Sequence, residues 1–325
     1  MKKISIIIPC YNESAPLWDA YFEVNNILEL LKEKYTYEIL FIDDGSSDNT
    51  LHIIKEIATT SDAVKYISFT RNFGKESGML AGLENASGDI VIIMDADLQH
   101  PPHLILDLIN NYEEGYDQVI AKRTRKGEKI SRKYITKIYY KLVNKLIDVE
   151  LIDGIGDFRL LSKKAVNYLL SMREYNRFSK GLFSWIGFKT KIVEYENQER
   201  VSGESKWKFG SLLNYAIDGI TSFNSKPLRL IIYLGFFITL INIIYIGYTF
   251  INIILFGIDM PGYFTVISSI LLLGGIQLIS IGVLGEYVGR IFYEVKNRPH
   301  YLINETNIDQ TEKDTTRIEK LKVEL

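Results

Sequence analysis

Two stretches in the last third of the chain carry no charged side chain, Leu230–Ile258 and Met260–Gly285. A bilayer core of about 30 Å takes about 20 helical residues to cross. Both stretches exceed that, and Asp259-Met260-Pro261-Gly262 between them reads as a tight turn. The pair therefore reads as a transmembrane hairpin; the alternative is a pair of buried helices in a large soluble core. Asn242, Asn252 and Gln277 are polar exceptions that suit hydrogen bonds between neighbouring helices. Lys226 and Arg229 precede the first stretch, Arg290, Lys296 and Arg298 follow the second, and the turn has no basic residue. Positive charge stays on the cytoplasmic side, which puts both termini there. The apolar run after Lys2 and Lys3 ends at Pro9 and is too short for a signal peptide. Cys10 is the single cysteine, so no disulfide framework is expected. A formal net charge of −2 gives no global reason to expect nucleic acid.

Residues 1 to about 122 alternate strand and helix signals. Apolar runs at Ile4–Pro9, Glu38–Ile42, Val64–Phe69, Asp89–Met94 and Gln118–Ala121 read as strands. Helical patterns lie at Ala15–Lys34, Asp48–Ala58 (capped near Ser46 or Ser47), Gly74–Asn85 and Leu104–Tyr112. This alternation predicts a doubly wound α/β domain with a mostly parallel sheet. Lys133, Lys137, Lys141 and Lys145 recur every four residues as a basic helical stripe, which reads as a solvated face or as a face for anionic lipid. Phe209, Leu212, Leu213, Ala216, Ile217, Ile220 and Phe223 share one helical face just before the hairpin. That face suits a membrane interface or packing on the soluble domain. Tyr287, Ile291, Phe292 and Val295 make a similar face after it, and the charged tail from Asn304 has the composition of a disordered segment.

Three strand ends carry polar loops: Pro9-Cys10-Tyr11-Asn12-Glu13, Asp43-Asp44-Gly45-Ser46-Ser47-Asp48, and Asp95-Ala96-Asp97-Leu98-Gln99. In a parallel sheet all three converge on the carboxyl edge, where ligands of open α/β sheets bind. In extended chain, Asp95, Asp97 and Gln99 point to one side and offer hard oxygens to Mg²⁺ or Mn²⁺. An Asx turn before Pro101-Pro102 is the plainer reading of the same residues. There is no Gly-x-Gly-x-x-Gly after the first strand and no P-loop, which counts against those nucleotide folds.

These loops, together with Arg71-Asn72-Phe73-Gly74-Lys75, Asp95-Ala96-Asp97-Leu98-Gln99-His100-Pro101-Pro102, Gly156-Asp157-Phe158-Arg159-Leu160 and Arg200-Val201-Ser202-Gly203-Glu204-Ser205-Lys206-Trp207, carry a family resemblance. The chain resembles the family 2, GT-A-fold glycosyltransferases. More narrowly, it resembles the membrane-anchored polyprenyl-phosphate enzymes: dolichol-phosphate mannose synthases and bacterial GtrB-type undecaprenyl-phosphate glucosyltransferases. The resemblance implies a GT-A catalytic domain over 1–207, an amphipathic interfacial helix over 208–227, two transmembrane helices over 228–286, and a cytoplasmic amphipathic segment and charged tail over 287–325. It also implies roles. Pro9, Tyr11, Glu13, Asp44 and Asp95 would bind the nucleotide. Asp95, Asp97 and Gln99 would hold Mg²⁺ or Mn²⁺ against the diphosphate. Asp157 would be the catalytic carboxylate, as base or as positioner. Arg123, Arg132 and Thr136 would bind the acceptor phosphate, with Arg125 a competing choice. Arg200, Ser205 and Lys206 would close over the diphosphate.

The expected partners are a nucleotide sugar, UDP-sugars foremost, a polyprenyl phosphate and membrane lipid. Gly274-Gly275 would also allow copies to associate through close helix contact. The implied reaction is inverting transfer of one hexose, with glucose the first expectation, at the cytoplasmic face of the cell membrane. A processive polysaccharide synthase would need a Gln-x-x-Arg-Trp motif and more spans. A membrane scaffold that kept the fold without the chemistry is the non-enzymatic alternative.

Overall fold

The computed structural model describes residues 1–124, 144, 152–196, 226–257 and 262–309. They fall into two compact units, a mixed α/β sheet unit and a pair of long helices. The sheet unit runs β1 (Lys2–Cys10), α1 (Leu17–Leu30), β2 (Tyr35–Asp43), α2 (Thr50–Thr60), β3 (Val64–Phe69), α3 (Lys75–Asn85), β4 (Ile90–Ile93), α4 (Leu104–Glu113) and β5 (Gln118–Thr124). It continues with β6 (Ile155–Ser162), α5 (Lys163–Ser171), α6 (Ser179–Trp185), β7 (Thr190–Glu196) and, after the helix pair, β8 (Ile303–Thr306). The strand order is β7-β5-β6-β4-β1-β2-β3-β8.

The central strands β4, β1, β2 and β3 are mutually parallel. They are apolar on both faces because helices cover both. Ile4, Ile6 and Ile8 pack in one core with α1, α2 and α4. Ile7 faces α3, where Gly82 permits the approach: a Cβ there would lie 2.3 Å from Ile7 Cγ2. The loops after β1 and β2 interlock through backbone and side chains. Asp44 N donates to Cys10 O at 2.9 Å, Asn12 N to Ser46 Oγ at 3.0 Å and Ser47 N to Asn12 Oδ1 at 2.9 Å. Ser46 and Ser47 are thus engaged with the neighbouring loop rather than capping α2. The helix begins at Thr50 behind Asn49, with Thr50 N donating to Asp48 Oδ1 instead. Gly45 makes the close turn possible, with φ +63° and a would-be Cβ 2.4 Å from the Arg71 carbonyl carbon.

Strand direction reverses at β6, which runs antiparallel to both β4 and β5. The tail also departs from expectation. In its described part, up to 309, the tail is ordered: Ile303–Thr306 pairs antiparallel with β3, and residues 310–325 lie outside the described residues. Tyr301 stacks on Phe69 at 4.8 Å, and Asn307 accepts from Tyr66 N and donates to Val64 O.

The helix pair comprises α7 (Lys226–Phe256) and α8 (Tyr263–Lys296). By length and composition, Leu228–Phe256 and Leu272–Lys296 suit a bilayer crossing, and their apolar residues are not buried within the chain. Helix α8 continues unbroken past Gly285, so Tyr287, Ile291, Phe292 and Val295 lie on the last turns of the same helix.

Candidate active site

The site is built where parallel and antiparallel halves meet. Strand β4 ends at Ile93, which pairs with Arg159 of antiparallel β6. Asp95 lies two residues beyond Ile93 and Asp157 two residues before Arg159. A carboxylate past the end of one strand and a carboxylate near the start of another thereby share the carboxyl edge. Lys75, the first residue of α3, bridges them. Its Nζ lies 2.5 Å from Asp95 Oδ1 and 2.7 Å from Asp157 Oδ2.

Lys75 is placed by the loop before it. Gly74 has φ +95°, and Asp44 accepts the Phe73 and Gly74 N–H groups at 2.6 and 2.9 Å. Asp44, expected at the nucleotide, thus also fixes this loop; a carboxylate has about four acceptor positions, so two bonds do not exhaust it. Burial pushes the Asp44 carboxyl up, against the pull of those two N–H groups.

Asp95 and Asp97 do not sit in extended chain. Residues 96 and 97 form a turn, Leu98 has φ +55°, and Gln99 N donates to Asp97 Oδ1 at 3.1 Å. The Asx turn is therefore present, and strand alternation does not set the directions of these side chains. Both carboxylates nevertheless lie on one short turn at the sheet edge. Among the described residues no group of three or more His, Cys, Asp or Glu side chains forms a metal cage. Two carboxylates fit a cation that shares its coordination with phosphates and water, the usual habit of Mg²⁺.

Burial pushes both Asp95 and Asp157 up, but Lys75 outweighs it, and both carboxyls lie below the usual carboxylate range. His100 adds to the effect on Asp95, with Nε2 3.7 Å from Oδ2, and Lys180 adds to it on Asp157. Both are therefore held ionised. The His100 ring is itself fixed by Tyr195 OH at 2.5 Å from Nδ1 and by Phe158. Burial, with Asp95 and Asp97 nearby, pushes the Tyr195 phenol up to about 12. Arg123 of β5 pairs with Tyr195 of β7, which brings it to the same edge.

Pro9 is near the end of β1, Tyr11 is exposed just beyond it, and Glu13 N donates to Thr50 Oγ1. These three and Asp44 gather at the β1–β2 edge. Arg132, Thr136, Arg200, Ser205 and Lys206, like Arg125, lie outside the described residues. Sequence reading missed Lys75, His100, Tyr195 and Lys180 as site residues. The first two lie inside the recognised motifs and were the available signal.

The model for "Glycosyl transferase family 2" matches residues 5–170, and that for "GtrB C-terminal hairpin" matches 226–291. The chain belongs to glycosyl transferase family 2. It is a glycosyltransferase that joins this domain to a GtrB-type hairpin, an element that points to membrane association. A putative glycosyltransferase, CsbB, from Bacillus subtilis is 57% identical to this transferase over 98% of the chain and 96% of its own length. A prophage-derived bactoprenol glucosyl transferase from Shigella flexneri is 44% identical over 94% and 98%. A prophage bactoprenol glucosyl transferase homolog from Escherichia coli is 43% identical over 93% and 98%.

Proposed function

We propose that this transferase moves one glucose from UDP-glucose to a polyprenyl phosphate at the cytoplasmic face of the membrane, with inversion. Relatives named for bactoprenol glucosyl transfer, similar along nearly their full length, support the acceptor and the sugar. The basic residues flanking α7 and α8 support the orientation. The observation that carries the reading is the pairing of Asp95 with Asp157 across the β4–β6 junction, bridged by Lys75. It brings together, on one lysine, the carboxylate that the resemblance assigns to the diphosphate and the one it assigns to catalysis.

Tyr11, Glu13 and Asp44 would receive the nucleoside at the β1–β2 edge, where carboxylates accept from base N–H and ribose hydroxyls. Asp95 and Asp97 would hold a divalent cation, Mg²⁺ or Mn²⁺, with Gln99 beside them; when bound, it neutralises charge on the departing nucleotide diphosphate. Arg123, and in the same role Arg132 and Thr136, would orient the acceptor phosphate; arginine's planar fork gives it two parallel bonds. Arg200, Ser205 and Lys206 would close over the diphosphate. The acceptor is a phosphate monoester with a second pKa of ~6, so it is largely dianionic at neutral pH. It needs little deprotonation before it attacks the anomeric carbon. Asp157, already ionised and fixed by Lys75, then acts as a positioner of sugar and acceptor more than as a base. Proximity and preorganised charge supply the rate.

The test is a panel of nucleotide sugars with detergent-purified protein, Mn²⁺ and undecaprenyl phosphate, read as nucleotide release by mass spectrometry. UDP release from UDP-glucose that requires the lipid is the expected result. Nucleotide binding without lipid-dependent release would reject the acceptor.

A further inference from the structure

Lys75 sits in an electrostatically awkward place. It opens α3, where the helix dipole disfavours a cation. The Gly74 turn and the Asp44 bonds nevertheless deliver it over the ends of β4 and β6. There it meets two carboxylates, Asp95 and Asp157, which repel each other when both are ionised. Among the described residues, Lys75 is the one cation that ion-pairs with both carboxylates, while His100 acts on Asp95 and Lys180 on Asp157. The Lys75 side chain keeps 43% of its surface exposed, against 14% for Asp157, so it has room to move and Asp157 has little. Lysine suits a movable contact: a point charge on a flexible stem, with three donors that can be redistributed.

A divalent cation on Asp95 and an ammonium on Asp95 Oδ1 compete for the same negative charge. We propose that Lys75 is a positioning residue that serves as resident counter-ion of the Asp95–Asp157 pair in the metal-free enzyme. On metal binding it cedes Asp95 to the divalent cation and stays on Asp157. The inference rests on the reading that Asp95 and Asp97 hold that cation. It makes metal loading and Asp157 alignment one linked event: the ion that arrives at the diphosphate side releases the lysine to serve the sugar side alone.

Mn²⁺ binding to the full-length protein in detergent, without nucleotide, tests this by counting free Mn²⁺ by electron paramagnetic resonance. Lys75→Met removes the competitor, so Mn²⁺ binds about tenfold tighter while turnover falls. Lys75→Arg keeps the charge and stays within about twofold of wild type in Mn²⁺ affinity. Lys75→Met/Asp157→Asn removes the carboxylate that the first change strands; it keeps the tighter binding and decides the matter should the single variant fold poorly. Unchanged or weaker Mn²⁺ binding in both methionine variants, with binding lost in Asp97→Asn, would overturn the counter-ion role and leave the cation assignment standing. Wild type, the methionine variants and Asp97→Asn all behaving alike would overturn the cation assignment itself.

Discussion

At the amino edge of the sheet, buried Glu38 accepts from Lys3 Nζ at 2.7 Å, Ser5 Oγ at 2.5 Å, and Ser87 N and Oγ both at 2.8 Å. At the carboxyl edge, Asp95 and Asp157 share Lys75. The first arrangement is closed: one charge, one counter-charge, and every acceptor position of the carboxylate engaged. The second is open, with one lysine divided between two carboxylates and nearly half exposed. A fully satisfied buried charge holds strands together. A pair that shares one exposed lysine at a strand terminus can exchange that partner, as the proposed cation site requires. The same sheet thus holds one carboxylate with every acceptor position engaged and, at its other edge, the two proposed to work.

The sharpest way to break that contrast is to exchange charge for amide at each edge. Asp97→Asn should cut kcat/KM by about a thousandfold, roughly 4 kcal/mol of transition-state stabilisation, with no loss of fold. Near-normal turnover would remove Asp97 from the cation. Glu38→Gln should do the reverse. Stability should drop by about 2–3 kcal/mol, seen as a lower denaturation midpoint, while kcat of the folded protein holds. A matching loss of kcat would erase the distinction between the edges. Gly82→Ala, which forces a methyl against Ile7, should cost about 1–3 kcal/mol by overpacking. Adding Ile7→Ala should recover part of it; full tolerance of the methyl would mean α3 is not held against β1.

The smallest effect is in pH. Burial pushes Glu76 up to about 7, while it accepts from Ser179 N at 3.1 Å and from the Ser179 hydroxyl. A carboxyl whose folded pKa is raised contributes stability that is present below its ordinary value of 4.5 and lost as pH rises through 7. Glu38, which Lys3, Ser5 and Ser87 hold below the ordinary range against the pull of burial, contributes the opposite slope, lost only in acid. Melting temperature against pH should therefore flatten between about 4.5 and 7 in Glu76→Gln. An unchanged profile would show that Glu76 is not the group titrating there.

The parallel half was legible because its strands are continuous apolar runs that stop at polar loops, as Ile90–Met94 stops at Asp95. Strand β6 was not. Its Arg159 interrupts the apolar run, and is 2% exposed, with its guanidinium on the Phe183 ring and donating to Gly156 O at 2.8 Å. Strand β8 is short and polar, and its order comes from β3 and from the Tyr301–Phe69 stack, neither of which is visible locally. Asp95 was legible as a site residue from the motif. Its approach to Asp157 depends on β6 running antiparallel, and Lys75 depends on a loop held by Asp44. Those are tertiary facts, and no local pattern of residues encodes them.

The most direct measurement is the identity of the lipid product. The full-length protein would be incubated with UDP-glucose, Mn²⁺ and undecaprenyl phosphate, and the lipid extracted for mass spectrometry and anomeric NMR. Transfer to a phosphate oxygen predicts undecaprenyl phosphate carrying one β-linked glucose and a single phosphate. Recovery of unmodified lipid beside released UDP, or of a sugar joined through a diphosphate, would contradict it.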